Sequence, residues 1–401
     1  MNTQMLKTEL YKLFSRKIVW IACVGFLALI ALIYSQFDSM DRVRHDLEPV
    51  RAELAAAVTN EALINLVREQ NYYVSFENIA PFLPQQAMAY IESVGFREDE
   101  NGPWNFLHST LAYRINNYIE RIDNRAAHIA QLREDVAAGG NDALSRVKAK
   151  MLEDYTHNEV EIELNLDPGT NNIIDINATF IPGGLMMIVL LMGLAGVFAD
   201  EQTSGTVSAL LTAENGRMGL WITKLMAAGI YILTVVTVME TAFLTIGTVF
   251  HHVNNVSLTA ASTYGLSLTT YDGKVWQLLL RQFLGALLGA ITIGSITLCL
   301  SSVAKSSLIP FFGAGAYYGV TALWHRLFDV SAYLTDWMSL PSVLSPDVLR
   351  AQTPLMQAGH YTNIFGLLVP SLTFSVIFHI ALSLICIGIC WRAYTKKQVM
   401  G

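Results

Sequence analysis

The chain has 401 residues, of which 53% are hydrophobic and only 15% charged, and its formal net charge is −7. Soluble domains typically carry about 25% charged residues, so this composition excludes a single soluble globular domain. The acidic balance gives no reason to expect a nucleic-acid partner.

The charge is divided unevenly along the chain. Residues 38–177 hold 12 Lys/Arg and 24 Asp/Glu, whereas all other residues hold 14 and 9. About 20 mostly apolar residues are needed to cross a membrane. Six segments qualify: 18–37, 178–199, 220–250, 276–300, 307–328 and 367–391. The sequence therefore predicts an all-α membrane protein with six transmembrane helices, an N-terminal interfacial helix and a large helical extracytoplasmic insert between spans 1 and 2.

Residues 1–17 combine an apolar stripe with cations. The stripe is Leu6, Leu10 and Leu13, and the cations on other faces are Lys7, Lys12 and Arg16. Such a helix can lie in the membrane interface, with its cations near anionic headgroups. A simple basic flank of the first span would explain the cations but not the leucines. Because no small-residue cleavage site follows span 18–37, we interpret that span as an uncleaved anchor.

The 38–177 insert is predicted to be mostly helical, with little or no sheet. Apolar residues recur at helical spacing over 107–138. Asp142 is a predicted N-cap of a helix that runs to about Leu164. The insert has no cysteine, no HExxH motif and no GxSxG motif, so neither disulfides nor an enzyme site is expected there.

Glu240 lies in the third predicted span, where an ionisable side chain is costly and by default indicates function. Threonines recur at spacings of three and four, with Glu240 at the edge of their face. They are Thr234, Thr237, Thr241, Thr245 and Thr248. This pattern predicts a face toward other helices or a wet cavity. A substrate or gating surface and simple interhelical hydrogen bonding both remain open, and no partner cation is identifiable.

The later spans carry small and polar residues at helical spacing. Gly285 and Gly289 let helices approach closely, either at a dimer seam or in internal packing. The outer loop 329–366 is too apolar to be fully solvated, which favours short re-entrant helices. Cys386 and Cys390 lie one turn apart without His or acidic neighbours at ligand spacing, so packed thiols are favoured and no metal site is expected.

Lys and Arg in the short flanks predict the orientation. One side carries ten of them and the other carries four. Because cytoplasmic loops are enriched in Lys and Arg, both termini and the 392–401 tail are expected in the cytoplasm. The 38–177 insert is then outside.

The inner loop 200–219 carries the most specific pattern. A Glu, a Gly-Thr pair, a Leu-Leu pair, an Arg and a Lys follow one another. They are Glu201, Gly205-Thr206, Leu210-Leu211, Arg217 and Lys224. This order resembles the permease subunits of ABC type-2 exporters, which have the type V ABC transporter fold. That family often has Pro before the Arg, whereas Glu214-Asn-Gly216 stands here.

The resemblance covers residues 1–37 and 178–401 and implies a permease in the plasma membrane of a bacterium. It implies that Glu201, Gly205, Thr206, Arg217 and Lys224 form the region coupled to an ATPase. It also implies a dimer with a second permease copy or paralogue, surrounded by membrane lipids. The chain has no GxxxxGK[ST] loop, so ATP and Mg are expected in separate ABC ATPase subunits and not in this chain.

The composition of the spans bears on the cargo. Few charges inside the spans favour peptides, antibiotics or other amphipathic molecules, either exported or resisted. A different function is also consistent with this topology: a membrane sensor or scaffold whose outer helices bind a ligand or protein. An intramembrane enzyme is disfavoured, because no catalytic pair is present.

Overall fold

The computed structural model describes most of the chain. The described residues are 3–38, 47–93, 103–140, 142–167, 169–170, 173–174, 180–205, 216–251, 253, 255–263, 265–327, 343–351, 361–364 and 366–395. Side chains are further omitted at some of these positions, including 103–110, 216–217 and 325–327.

The chain begins with two consecutive helices. Helix α1 spans Thr3–Phe14 and helix α2 spans Lys17–Asp38. Leu13 of α1 is buried, together with partly buried Leu6 and Leu10, against the main apolar core. The apolar stripe therefore packs on the protein's own helices.

The polar insert folds as a separate helical layer with its own core. Its helices are α3 Arg51–Ala57, α4 Glu61–Glu69, α5 Phe76–Ile79, α6 Gln85–Ser93, α7 Pro103–Ala137 and α8 Ala143–His157. Leu54, Leu63, Ile91 and Ile115 are fully buried in this core. Burial of such side chains contributes roughly 1.5–3 kcal/mol each.

Asp142 caps α8, since its side chain accepts a hydrogen bond from the amide of Ser145, and this prediction is confirmed. The predicted end near Leu164 is wrong, because α8 ends at His157. The following backbone is held instead by a neighbouring loop. The Glu163 amide donates to Ser262 Oγ at 2.7 Å, and Thr259 Oγ1 donates to the Glu161 carbonyl at 2.8 Å.

The membrane part follows. Its helices are α9 Phe180–Leu194, α10 Gly196–Thr203, α11 Gly216–His251, α12 Val275–Val303, α13 Leu308–Leu327, the short α14 Pro346–Ala351 and α15 Ser371–Thr395. A hairpin of β1 Tyr361–Ile364 and β2 Leu367–Pro370 precedes α15.

Five stretches of the described residues are long and apolar enough to cross a membrane. They are Lys17–Ser35, Ile181–Thr203, Met218–Phe250, Val275–Val303 and Ser371–Thr395. The chain is thus a multi-pass helical membrane protein. The predicted sixth span, 307–328, coincides with α13, and its crossing of the membrane stays a prediction.

The hairpin corrects the sequence-based boundary of the last span. Residues 367–370 form β2, and the helix begins only at Ser371. Pro370 disfavours helical backbone at Val369, and Gly366 adopts φ +94° in the turn, which glycine accommodates without strain. Within the part of the chain that the structure describes, this hairpin departs from the all-α prediction.

Loops meet at two opposite ends of the membrane helices. At the polar-domain end, Arg125 Nη1 donates to the carbonyl of Thr269 at 2.7 Å, and Arg146 Nη1 donates to the carbonyl of Gly366 at 3.3 Å. At the α1 end, Thr203 Oγ1 donates to the Lys305 carbonyl at 2.8 Å. Successive loops thus lie at alternate ends of the helices, as they must when each helix between them crosses the membrane.

Candidate coupling site

Lys224 is buried at the α1 end, although it carries an ammonium group. Its side chain is 1% exposed, and its Nζ lies 2.7 Å from Glu201 Oε1 and 2.9 Å from Glu9 Oε2. Nζ also donates to the carbonyl of Val197 at 2.9 Å. Three acceptors match the three N–H donors of an ammonium, so this buried charge is satisfied.

Lys12, whose side chain is 49% exposed, completes a charge cluster consisting of Glu9, Lys12, Glu201 and Lys224. Its Nζ lies 2.6 Å from Glu9 Oε1 and 3.3 Å from Glu201 Oε1. Burial acts to raise the pKa of Glu9, but Lys224 and Lys12 hold that pKa below its ordinary value of 4.5. Burial acts to lower the pKa of Lys12, but Glu9 and Glu201 raise it above 10.5. The two positive and two negative charges sum to zero, and their mutual attraction offsets the cost of desolvating the buried ions.

The C-terminal end of α1 and the turn that follows it are docked against the membrane helices. The ring of Phe14 meets the ring of Tyr231 edge to face at 5.5 Å. Arg16 Nη2 lies 2.8 Å from Asp200 Oδ2, and its Nη1 donates to the carbonyl of Met192. Lys12 and Arg16, interpreted from sequence as headgroup cations, thus pair with acids on α10.

A helix break at Ala195 aims Glu201 into the cluster. Ser301 Oγ donates to the Ala195 carbonyl at 2.8 Å and accepts from the amides of Phe198 and Ala199 at 3.1 and 3.0 Å. Backbone groups left free by a break must be paired inside a membrane protein. One serine hydroxyl binds all three of these backbone groups, so α9 can end and α10 can begin without leaving them unpaired.

The structure brings together two of the five predicted coupling residues, Glu201 and Lys224. Gly205 follows α10 with φ +70°, a conformation that favours glycine. Thr206 lies outside the described residues. Arg217 lies in the first turn of α11, and its side chain is also outside the description.

Glu9 is not predicted from the sequence as a site residue. Its only sequence signal is an acid three residues before Lys12, a spacing that places both on one side of a helix. Glu201, interpreted as part of a loop, lies in α10, and α11 begins at Gly216 rather than at residue 220. The coupling loop is therefore shorter than predicted.

A second buried ion pair lies among the membrane helices. Arg350 Nε donates to Glu240 Oε1 at 2.7 Å, and each side chain is 1% exposed. Arg350 lies on α14, whose six residues are all buried. The sequence offered no partner for Glu240, because Arg350 is 110 residues away and reads as a loop cation.

Further polar groups surround this pair. Tyr318 on α13 donates its hydroxyl to Asp347 Oδ1 at 3.0 Å. Gln282 Nε2, on α12, donates to the Ala351 carbonyl at 3.1 Å. Helices α11, α12 and α13 are thus all tied to α14 by hydrogen bonds inside the core.

Gly183 on α9 is what allows this close approach. A Cβ atom at this position would lie 2.8 Å from Asp347 Oδ1 and 3.0 Å from the Tyr318 hydroxyl. We expect Gly183→Ala to lower the free energy of unfolding by about 1–3 kcal/mol, measured by thermal unfolding in detergent. Gly229→Ala is the control, since nothing lies within 4 Å of its Cβ position. Equal stability of both variants would contradict the packing described here.

The threonine face and Glu240 do not form one surface. Thr237, Thr241 and Thr245 are exposed in the single chain and border an open groove, whereas Glu240 points inward. Thr245 and Thr248 donate to backbone carbonyls one turn earlier, as Thr234 also does. The interpretation of this face as one toward other helices or a wet cavity therefore stays a prediction.

The Gly285 and Gly289 face packs within the chain. A Cβ at Gly289 would lie 3.0 Å from the carbonyl oxygen of Pro346, the first residue of α14. Gly285 is buried on the same helix, and Thr292 lies within 3.2 Å of Ser383 Oγ on α15. Of the two alternatives, internal packing accounts for this face.

Comparison with known families decides the class of the chain. Residues 4–346 match the family described as ABC-2 family transporter protein. The chain belongs to the ABC-2 transporter family. No curated protein and no solved structure was found to match it.

Membership identifies this ABC-2 family chain as the membrane subunit of an ABC transporter. Members of the family in general work with an ABC ATPase and lack an ATPase site of their own. The resemblance on the inner loop is thereby confirmed at the level of the family. The matched range runs through the polar insert and ends before the β-hairpin and α15, unlike the resemblance, which excluded the insert.

Proposed function

We propose that this ABC-2 family chain is the permease subunit of an ATP-driven exporter whose charge cluster of Glu9, Lys12, Glu201 and Lys224 transmits motion from the ATPase. The main supporting observation is that Lys224, near the start of α11, forms ion pairs with Glu9 on α1 and with Glu201 on α10. A displacement of any of these three helices then moves the other two. Such a joint suits a subunit that moves as a body when its partner changes conformation.

The α1 end is placed in the cytoplasm in this proposal, and the polar domain is placed outside. Support comes from the excess of Lys and Arg in the flanks at the α1 end. The ATPase then docks against the segment from Glu201 to Arg217, which includes Gly205 and Thr206. ATP and Mg bind in that partner.

Cargo and assembly complete the proposal. Two permease copies, or this chain and a paralogue, enclose the route, and the exposed threonine face borders it. Its hydroxyls among apolar side chains suit an amphipathic cargo, such as a peptide or an antibiotic. Glu240 serves the bundle by binding Arg350 and does not contact cargo.

A tagged chain purified from its own membranes tests the docking site. We expect a soluble ABC ATPase to co-purify, and Arg217→Glu to reduce its recovery about tenfold, because reversed charge at an interface costs on the order of 1–3 kcal/mol. Arg392→Glu, an exposed cation near the end of α15, is the control. Full recovery with Arg217→Glu would remove Arg217 from the docking site.

A further inference from the structure

A cleft in the polar domain lies far from the features used so far. It has a volume of about 710 Å³ and lies between the turn at residues 71–77 and the exposed side of α7. This volume is in the range of small-ligand sites, about 300–1,000 Å³. Tyr73 and Tyr113 line it and are 84% and 61% exposed.

The turn that carries Tyr73 is held in an unusual conformation. Asn71 and Tyr72 have φ of +51° and +64°. This backbone conformation is unfavourable for residues with a Cβ atom, particularly bulky ones. Arg68 and the Tyr72 hydroxyl both donate to the Asp123 carboxylate on α7, at 2.6–2.9 Å. Strain that is held in place by surrounding contacts is concentrated at functional sites.

One buried group in the cleft lacks a partner. Asn116 is 6% exposed, and its Nδ2 donates to the Val74 carbonyl at 2.9 Å. That bond fixes the amide orientation, since a carbonyl can only accept. Asn116 Oδ1 then has no hydrogen-bond partner within the described part of the chain. A buried acceptor of this kind needs a donor to be satisfied.

The charged side chains of the cleft are both acidic. Glu77 and Glu120 line it, and no Lys or Arg does so among the described residues. Carboxylates and an amide oxygen accept hydrogen bonds, and tyrosine rings attract cations over their faces. The combination therefore selects for positive charge carried on an apolar body.

We propose that this cleft binds an organic cation, with its ammonium or guanidinium group between Glu77, Glu120 and Asn116 Oδ1 and its apolar body on Tyr73 and Tyr113. The group can belong to a free amine or to a side chain of a peptide. The site stands apart from the proposed function, because binding here needs neither ATP nor an ATPase.

Calorimetric titration of the full chain in detergent, without nucleotide, tests this site. The probes are benzylamine and an acetylated, amidated tripeptide of arginine, tryptophan and arginine. Benzyl alcohol is the neutral comparison. Saturable binding of either cation supports the site, and the tighter of the two identifies the source of the cationic group.

Variants at surface positions, with Glu77 and Tyr73 exposed and Glu120 half-buried, keep the test independent of folding. We expect Glu77→Gln and Glu120→Gln each to weaken cation binding about threefold, and the pair together about tenfold. Tyr73→Ala should weaken it to a similar degree. Glu134→Gln is the matched control, since it lies on the same helix as Glu120 but about 21 Å farther along. Failure of both cations to bind, equal binding of benzyl alcohol, or unchanged binding by the Glu77 and Glu120 double variant would overturn the proposal.

Discussion

Lys224→Met is expected to destabilise the protein by about 3–5 kcal/mol, which is the range for removing one partner of a buried ion pair. The variant leaves Glu9 and Glu201 in the core with only Lys12 to balance them. Thermal unfolding in detergent measures the loss. Where the variant still folds, ATP-linked transport should fall more than ATPase recovery, because the joint between α1, α10 and α11 is broken.

Two further variants separate the cluster from a general effect of losing a lysine. Lys305→Met removes an exposed cation at the same end of the molecule and should change stability by less than about 0.5 kcal/mol. The double variant Lys224→Met/Glu201→Gln restores neutrality, so it should lose less than the sum of the two single variants. If the two single effects simply add, Lys224 and Glu201 do not act as a pair.

Arg350→Met is expected to have the second largest effect, again about 3–5 kcal/mol. It leaves Glu240 buried without its cation, and Asp347, which also favours the charge of Arg350, loses that interaction too. Glu240→Gln should cost less, because Asp347 still faces the guanidinium. In the same thermal assay we therefore expect Arg350→Met to lower stability more than Glu240→Gln does.

A double-mutant cycle decides whether this pair specifies the fold of α14 or merely occupies space. The double variant Glu240→Gln/Arg350→Met should be at least about 2 kcal/mol more stable than additivity predicts. Thr241→Val, at an exposed position next to Glu240, controls for substitution on α11. A coupling energy near zero would show that the buried pair contributes nothing through its contact.

Features that depend on local pattern are predictable from this sequence. Apolar length locates α2, α11, α12 and α15 to within a few residues, and the Asp142 cap follows from local hydrogen-bonding chemistry. The order of residues from Glu201 to Lys224 indicates the family. Each of these signals lies within one element or one short loop.

Features that depend on long-range contacts are not predictable from this sequence. Glu9 meets Lys224 across 215 residues, and Glu240 meets Arg350 across 110. Neither partner is visible from spacing, because burial of a charge depends on which helices the fold brings together. On the threonine face, the hydroxyls of Thr234, Thr245 and Thr248 donate to carbonyls of their own helix, so a polar stripe of this kind need not face protein.

Reconstitution of the purified chain in liposomes, alone and with its co-purified ATPase, tests most directly whether this protein is driven by a partner. ATP hydrolysis should be absent with the permease alone. It should appear with the complex and fall when Lys224→Met disrupts the joint. Hydrolysis of ATP by the isolated wild-type chain would contradict the account.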